Sequence, residues 1–261
     1  GAITRARSGL PDSFRPAVMP EASKPEGAVM PPSTEVHTEE SQLAAATTDQ
    51  RERLRTSCRR AMPRQRRIGL TGGIASGKSS VGRWLKEQGI PVLDADLYAH
   101  EALAPAQAAS HAVVRRYGTE VIRAGSDPET AELDRTALAA IVFSDPTQRQ
   151  WLESLVHPLV RERFETALNR LQSEATVALM IPLLFEAGLE TLCTEVWVVH
   201  CSPEQQIKRL AARNGLTADV AKQRINAQWP LAKKVALADR VIDNSGEPEA
   251  WRTEASQRLA A

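Results

Sequence analysis

The chain has 261 residues, with 33 Lys and Arg against 32 Asp and Glu and a formal net charge of +1. That balance argues against a general nucleic-acid or membrane-surface binder, whose affinity rests on excess positive charge. The hydrophobic share of 42% is that of an ordinary globular protein. No apolar run approaches the roughly 18 to 20 residues that span a bilayer. Cys58, Cys193 and Cys201 show no CxxC spacing and no nearby histidine set, so they read as free thiols in a reducing compartment.

Residues 1–61 differ from the rest. They hold six prolines, one aromatic residue (Phe14) and few large aliphatics. Such a segment cannot bury enough apolar surface to offset its chain entropy, and disorder is expected. It lacks the apolar stretch of a secretory signal, and its eight acidic residues make a poor organelle transit peptide. A cytoplasmic, monomeric protein is the expectation. The chain begins with Gly1, which reads as a fragment or a processed product, and Met62 is an alternative natural start. An Arg-rich run from Arg51 to Arg67 follows the prolines. It reads as a solvated linker in preference to an anionic docking arm.

From Arg67 the pattern becomes α/β. Arg67–Leu70 reads as a strand, and Lys78–Gln88 has helical spacing up to Gly89. Pro91-Val92-Leu93 reads as a second strand ending in Asp94-Ala95-Asp96. Residues 97–172 are mostly helical, with breaks expected near Pro105, Gly118, Gly125–Pro128, Asp145-Pro146 and His157-Pro158. Thr176–Leu184, apolar throughout, and Glu195–His200 read as strands covered on both faces. The next helix spans Pro203–Arg213, with Ser202 as N-cap, Gln205 completing a capping box and Gly215 as the stop. Helical spacing resumes over Ala218–Gln228, Arg240–Asp243 is a last strand, and Glu247–Leu259 closes the chain as a helix. Alternating strands and helices predict a mostly parallel sheet.

The decisive element is Gly72-Gly73-Ile74-Ala75-Ser76-Gly77-Lys78-Ser79, which matches G-x-x-x-x-G-K-[ST] with a strand before it and a helix after it. Glycines let backbone N–H groups turn inward around a phosphate. The helix N-terminus adds its dipole and free donors. Lys78 reaches the β- and γ-phosphates, and the Ser79 hydroxyl is placed for Mg²⁺. Nucleoside triphosphate binding follows, and the acceptor stays open.

Asp94 and Asp96 fall at the C-terminal end of the second strand, where a parallel sheet places its binding crevice. Two carboxylates there suit activation of an acceptor hydroxyl and support of Mg²⁺. They share a face if the strand continues through both. The alternative is a helix cap, with Asp96 capping a helix from Leu97. Arg209 and Arg213 lie four apart on one helix face and Arg224 lies on the next helix. They suit a migrating phosphoryl group, or else simply form an exposed basic face. The two helices, joined at Asn214-Gly215, look like a mobile lid. Glu186 is separated from its strand by Pro182-Leu183-Leu184-Phe185, which shifts the metal-supporting role toward Asp94 or Asp96. His157 reads as structural, and Trp151, Trp197, Trp229 and Trp251 as packing residues.

These segments occur in order with Ala99-His100, His157-Pro158-Leu159, Pro182-Leu183-Leu184-Phe185-Glu186, Arg224-Ile225 with Gln228, and Ala238-Asp239 through Ile242-Asp243-Asn244-Ser245-Gly246. Together they resemble the dephospho-coenzyme A kinase family over about 67–261. The resemblance implies a P-loop NTPase, an α/β protein whose parallel sheet is flanked by helices in an adenylate-kinase-like arrangement. A kinase domain over 62–261 would divide into a core (about 67–96, 173–202 and 231–261), a helical acceptor domain (about 97–172) and a lid (about 203–230). It implies ATP with Mg²⁺, dephospho-CoA as small-molecule partner, and phosphorylation of the ribose 3′-hydroxyl. Carried over by position, Asp96 is the general base, and Thr71 and Lys78 lie at the transferred group. Arg209 stabilises that group, aided by Arg213 and Arg224. Gly73, Ile74, Ala75, Ser76, Gly77, Lys78, Ser79 and Ser80 cradle the nucleotide, Asn244 approaches its adenine, and Ser79 and Asp94 serve the metal. Two departures stand out. Ala75 replaces a frequent glycine, tolerable only with negative φ, and Ser80 replaces a frequent threonine while keeping the hydroxyl. The runner-up is another P-loop small-molecule kinase, such as a nucleotide kinase. There arginines and not a paired Asp should line the acceptor pocket.

Overall fold

The computed structural model describes residues 65–260. The expectations for the Pro-rich segment, Met62, Cys58 and the Arg-rich run up to Arg64 lie outside the described residues; Arg66 and Arg67, which end that run, belong to the first strand and not to a linker, and Arg66 pairs with Glu195. Five strands form one parallel sheet: β1 (Arg66–Gly72), β2 (Val92–Asp94), β3 (Thr176–Met180), β4 (Glu195–His200) and β5 (Arg240–Asp243). Their order is β2-β3-β1-β4-β5. β1 is central, pairing Leu70 with Met180 on one side and with Trp197 on the other. The chain leaves β1 for the β2 edge, and from β3 it crosses β1 to β4 on the other side, so the crevice at the C-terminal ends of β1 and β3 is a topological switch point.

Side-chain alternation splits the sheet between two cores. On one face Ile68, Leu70, Ala178, Met180, Trp197 and Val199 pack with Val81, Trp84 and Leu85 of α1 (Lys78–Glu87). Trp84 meets Trp251 edge to face at 5.9 Å. Trp251 opens the last helix, α9 (Trp251–Ala260). On the other face Val177, Leu179, Val196 and Val198 pack with the helical insertion between β2 and β3. That insertion holds α2 (Ala95–Ala102), α3 (Ala108–Tyr117), α4 (Arg135–Ser144) and α5 (Pro146–Arg170). Continuous apolar strands are what a sheet covered on both faces requires.

Three expectations are corrected. β3 stops at Met180 and not at Leu184. The apolar run continues because Ile181, Leu184 and Phe185 are buried in a turn, closed by Ala187 N–H to the Leu183 carbonyl and Leu189 N–H to that of Leu184. Burial, not strand pairing, accounts for those residues. The break at His157-Pro158 is absent, and α5 runs through it. Pro158 removes one helix bond, while Val156, Val160, Phe164 and Leu168 still present a four-residue spaced buried stripe. The closing helix starts at Trp251, because Glu249 takes φ 64° in the preceding turn.

After β4, α6 (Pro203–Asn214) carries the expected capping box between Ser202 and Gln205, and Gly215 ends it at φ 61°. α7 (Ala218–Asn226) follows, capped by Thr217. α8 (Leu231–Ala236), which the sequence reading did not anticipate, leads into β5.

Candidate active site

The turn between β1 and α1 surrounds a cavity of about 430 Å³. Residues 72–80 line it, together with Asp96, Pro182, Arg209, Arg213 and Gln228. Gly77 stands at φ 102° ahead of α1 and provides no side-chain cap, which leaves the first-turn N–H groups to face the cavity. Gly73 and Gly77 are also required by contact, since a Cβ there would strike Gln206 and Asn244 respectively. Ala75 overturns the expectation of negative φ: it sits at φ 60°. A non-glycine residue in that region costs about 1–2 kcal/mol. The loop holds it there by crosslinks on either side. Ser76 N–H donates to the Gly73 carbonyl at 3.1 Å, and Ile74 is gripped by Gln206 Nε2 on its carbonyl at 2.8 Å and by Gln228 Oε1 on its N–H at 3.2 Å.

β2 ends at Asp94 and α2 begins at Ala95, so the two aspartates do not lie on one strand. Asp94 is the helix cap, accepting from Asp96 N–H at 2.9 Å. Asp96, not the cap, stands in the first helical turn and opens into the cavity. Burial raises the Asp96 carboxyl above the usual carboxylate range; Lys78 opposes that rise and Asp94 adds to it. Burial lowers the Lys78 ammonium, with Asp96 and Asp94 opposing and Lys234 and Arg213 adding. Asp96, which is solvent-exposed where it borders the cavity, and the half-buried Lys78 are thus each shifted in the direction of the neutral form.

Arg209 donates through Nη2 to the Asn244 carbonyl at 3.1 Å. Its buried Nη1 has no hydrogen-bond partner among the described residues. Asn244 in turn donates to the Ser76 carbonyl at 2.9 Å. Arg209 and Arg213 reach the cavity; Arg224 instead lies over the Phe143 ring at 5.7 Å, bridging α7 and α4. Thr71 is fully buried behind the loop, with its hydroxyl donating to the Pro182 carbonyl at 3.1 Å. Glu186 Oε1 is held by Lys234 at 2.8 Å, while its buried Oε2 has no hydrogen-bond partner among the described residues.

A second cavity of about 220 Å³ adjoins the first at Asp96 and Pro182. Its wall is apolar: Ala95, Ala99 and Leu103 come from α2 and its end, Leu152, Val156 and Val160 from α5, and Ile181, Leu183, Ala187 and Leu189 from the segment after β3. Glu153 and His157 interrupt it, and burial raises the Glu153 carboxyl.

The family described as dephospho-CoA kinase matches residues 66–249. The chain belongs to the dephospho-CoA kinase family. A dephospho-CoA kinase of Synechococcus sp. (strain CC9605) is 58% identical over 195 residues, covering 75% of this chain and 92% of that protein. Among solved structures, TT1252 from Thermus thermophilus is 37% identical with a TM-score of 0.63, covering 75% of this chain and 97% of that one. The dephospho-CoA kinase from Campylobacter jejuni is 26% identical with a TM-score of 0.55, covering 74% and 95%.

In this dephospho-CoA kinase family member, sequence reasoning missed two residues that shape the site, Gln206 and Lys234, and gave no such role to Gln228 and Glu186, which it had named. Gln206 and Gln228 hold Ile74 of the phosphate loop, and Lys234 holds Glu186 and the Pro182 carbonyl behind it. Gln206 lies one residue past the capping box and is 3% exposed; nothing in a helix-face pattern marks a buried glutamine as a loop clamp. The signal for Lys234 was its place in a short helix of mixed pattern, which reads as solvent-facing.

Proposed function

We propose that this chain transfers the γ-phosphoryl group of ATP to the 3′-hydroxyl of dephospho-CoA, giving CoA and ADP, the last step of CoA biosynthesis. The observation that carries the reading is that one carboxylate, Asp96, borders both cavities. The phosphate loop receives the triphosphate, and the adjoining apolar cavity receives the purine carried by the acceptor ribose. Asp96 takes the proton of the 3′-hydroxyl as its oxygen bonds to the γ-phosphorus and the bond to ADP breaks. A carboxyl raised by burial is a stronger base than an ordinary one. Lys78 and the Arg209 guanidinium, which both line the phosphate cavity, neutralise charge that develops on the transferring group. Arg213 supports them from the same helix face. Arg224, over Phe143, holds α7 against α4 and acts on the nucleotide only indirectly. In this reading 97–172 forms the acceptor domain and 203–230 the lid, and the protein acts as a cytoplasmic monomer.

The donor set fits Mg²⁺, which takes one or two protein oxygens and shares phosphate oxygens. Ser79, which lines the phosphate cavity, would supply a hydroxyl; Asp94, which caps α2 and lines neither cavity, would support the ion only from beside Asp96. The ion, when bound, neutralises phosphate charge.

The test is ADP release by the full chain with Mg²⁺ and ATP, offered dephospho-CoA, AMP, adenosine or no acceptor. Release only with dephospho-CoA, with the product phosphorylated at the 3′ position, is expected. Release with AMP alone would move the chain to the nucleotide kinases.

A further inference from the structure

We propose that Lys234 is a positioning residue that fixes the donor cavity against the acceptor cavity, and that Gln228 carries this tie onto the phosphate loop. The inference rests on the assignment of the two cavities made above. Lys234 has no exposed surface, and its ammonium donates to Glu186 Oε1 at 2.8 Å and to the Pro182 carbonyl at 2.9 Å. Burying an ammonium is expensive unless it is paired. A buried pair is itself weak evidence for stability, since apolar replacements of the same volume often do as well. A lysine in this place therefore calls for a reason beyond folding.

What the pair holds supplies that reason. Pro182 lines both cavities, and its carbonyl also accepts from the hydroxyl of Thr71, the residue just before the phosphate loop. Glu186 Oε1 accepts a second bond from Trp229 N–H at 3.1 Å. Trp229 follows Gln228, whose Oε1 takes the Ile74 N–H of the phosphate loop. The contacts close a ring from Thr71 through Pro182, Lys234, Glu186, Trp229 and Gln228 back to Ile74. One arc of the ring is the phosphate loop, and another is the wall that the two cavities share. The ring sets the distance between phosphorus and acceptor hydroxyl. A misplacement of about 1 Å at such a junction costs about 100-fold in rate, and a gap there admits water to the phosphoryl group.

The experiment uses the full chain and two variants: the double substitution Lys234→Met with Glu186→Gln, and Gln228→Ala. Removing both charges together avoids stranding one in the interior. Urea unfolding, both KM values, kcat and the ratio of ADP to phosphorylated acceptor are measured. The double variant is expected to unfold near the parent midpoint, with kcat at least about tenfold lower, KM for ATP within about twofold, and more than one ADP per phosphorylated acceptor. Gln228→Ala, which leaves the buried pair in place, is expected to show the same excess of ADP to a smaller degree. A folded double variant with parental kcat and one ADP per product overturns the proposal, as does a loss confined to KM for ATP. If the double variant does not fold, Gln228→Ala decides alone, and tight coupling there overturns the proposal. The parent run in parallel separates the two readings. A wrong acceptor leaves the parent itself without product, and coupling is then measured with the panel member it does use; a wrong positioning role leaves parent and variants alike.

Discussion

Of the two cavities that meet at Asp96, one is walled largely by a contiguous run of chain, 72–80, and the other by side chains from three separated segments. The first presents backbone N–H groups, a lysine and hydroxyls, and asks for a polyanion. The second presents aliphatic carbon, and asks for something flat and apolar. The contrast shows how this site divides its labour. Phosphate binding needs a fixed backbone shape, which a short motif specifies. Acceptor recognition needs volume and apolar surface, which many residue combinations supply. The residues between them, Asp96 and Pro182, belong to both walls, and substitutions there should act on transfer more than on either binding event.

The largest effect is expected from Asp96→Asn. General-base catalysis contributes roughly 100- to 10,000-fold, so kcat should fall within that range while ATP binding, read by nucleotide titration, stays near the parent. The pH dependence has a defined sign. Burial raises the Asp96 carboxyl, so the basic form is lost as pH falls through that raised value. The acid limb of kcat/KM, which reports the free enzyme, should accordingly lie above the ordinary carboxylate range and vanish in the asparagine variant. Because the folded state disfavours the ionised form, asparagine at neutral pH should also leave the protein no less stable. Near-normal turnover in this variant would remove the junction carboxylate from the chemistry.

Arg209→Ala comes next. Its guanidinium bridges from α6 to the Asn244 carbonyl and lines the donor cavity. Losing a donor aimed at the transferring group costs about 100-fold or more in kcat. A loss confined to KM for ATP would make Arg209 a ground-state ligand, and the donor cavity would then work through its loop alone.

The same contrast explains what was legible in the sequence. The phosphate loop, α1, β4 and the capping box of α6 follow from local rules. Each is fixed by glycine geometry, by cap chemistry or by a run of apolar residues, and the structure places each within a residue or two of the expected bounds. Asp96 was legible because strand ends in a parallel sheet point at one crevice. The condition for Asp94 to share a face with Asp96 is not met, because β2 stops at Asp94, two residues before Asp96. The apolar cavity had no local signature. Ala99, Val156 and Leu183 are ordinary core residues until the fold brings them beside a carboxylate. The Lys234–Glu186 pair spans 48 positions, and charge in a helix reads as exposed when nothing local says that a partner waits inside.

A smaller effect is expected from Ala99→Leu, which fills part of the apolar cavity from α2. Leucine adds three carbons, and a misfit of even one methylene is worth about 1–3 kcal/mol in an apolar pocket. KM for dephospho-CoA should therefore rise about tenfold, with KM for ATP unchanged. Equal increases in both would mean that the two cavities are not separable, and that the purine of the acceptor sits elsewhere.

The smallest effect tests the backbone side of the comparison. Ala75 holds φ 60° in a loop whose neighbours are tied down by Gln206, Gln228 and the Gly73 carbonyl. Ala75→Gly removes a strain of about 1–2 kcal/mol and adds about 0.4–1 kcal/mol of freedom to the unfolded chain. The balance favours a gain in stability of at most about 1 kcal/mol, read by urea unfolding, with kcat and both KM values within about twofold because the crosslinks remain. A gain in stability accompanied by a rise in KM for ATP would show that the alanine methyl helps to shape the cradle, and that strain in the loop is part of how it grips phosphate. A loss of stability would mean that the methyl packs well enough to outweigh its strained backbone, and the loop would owe its geometry to side chains after all.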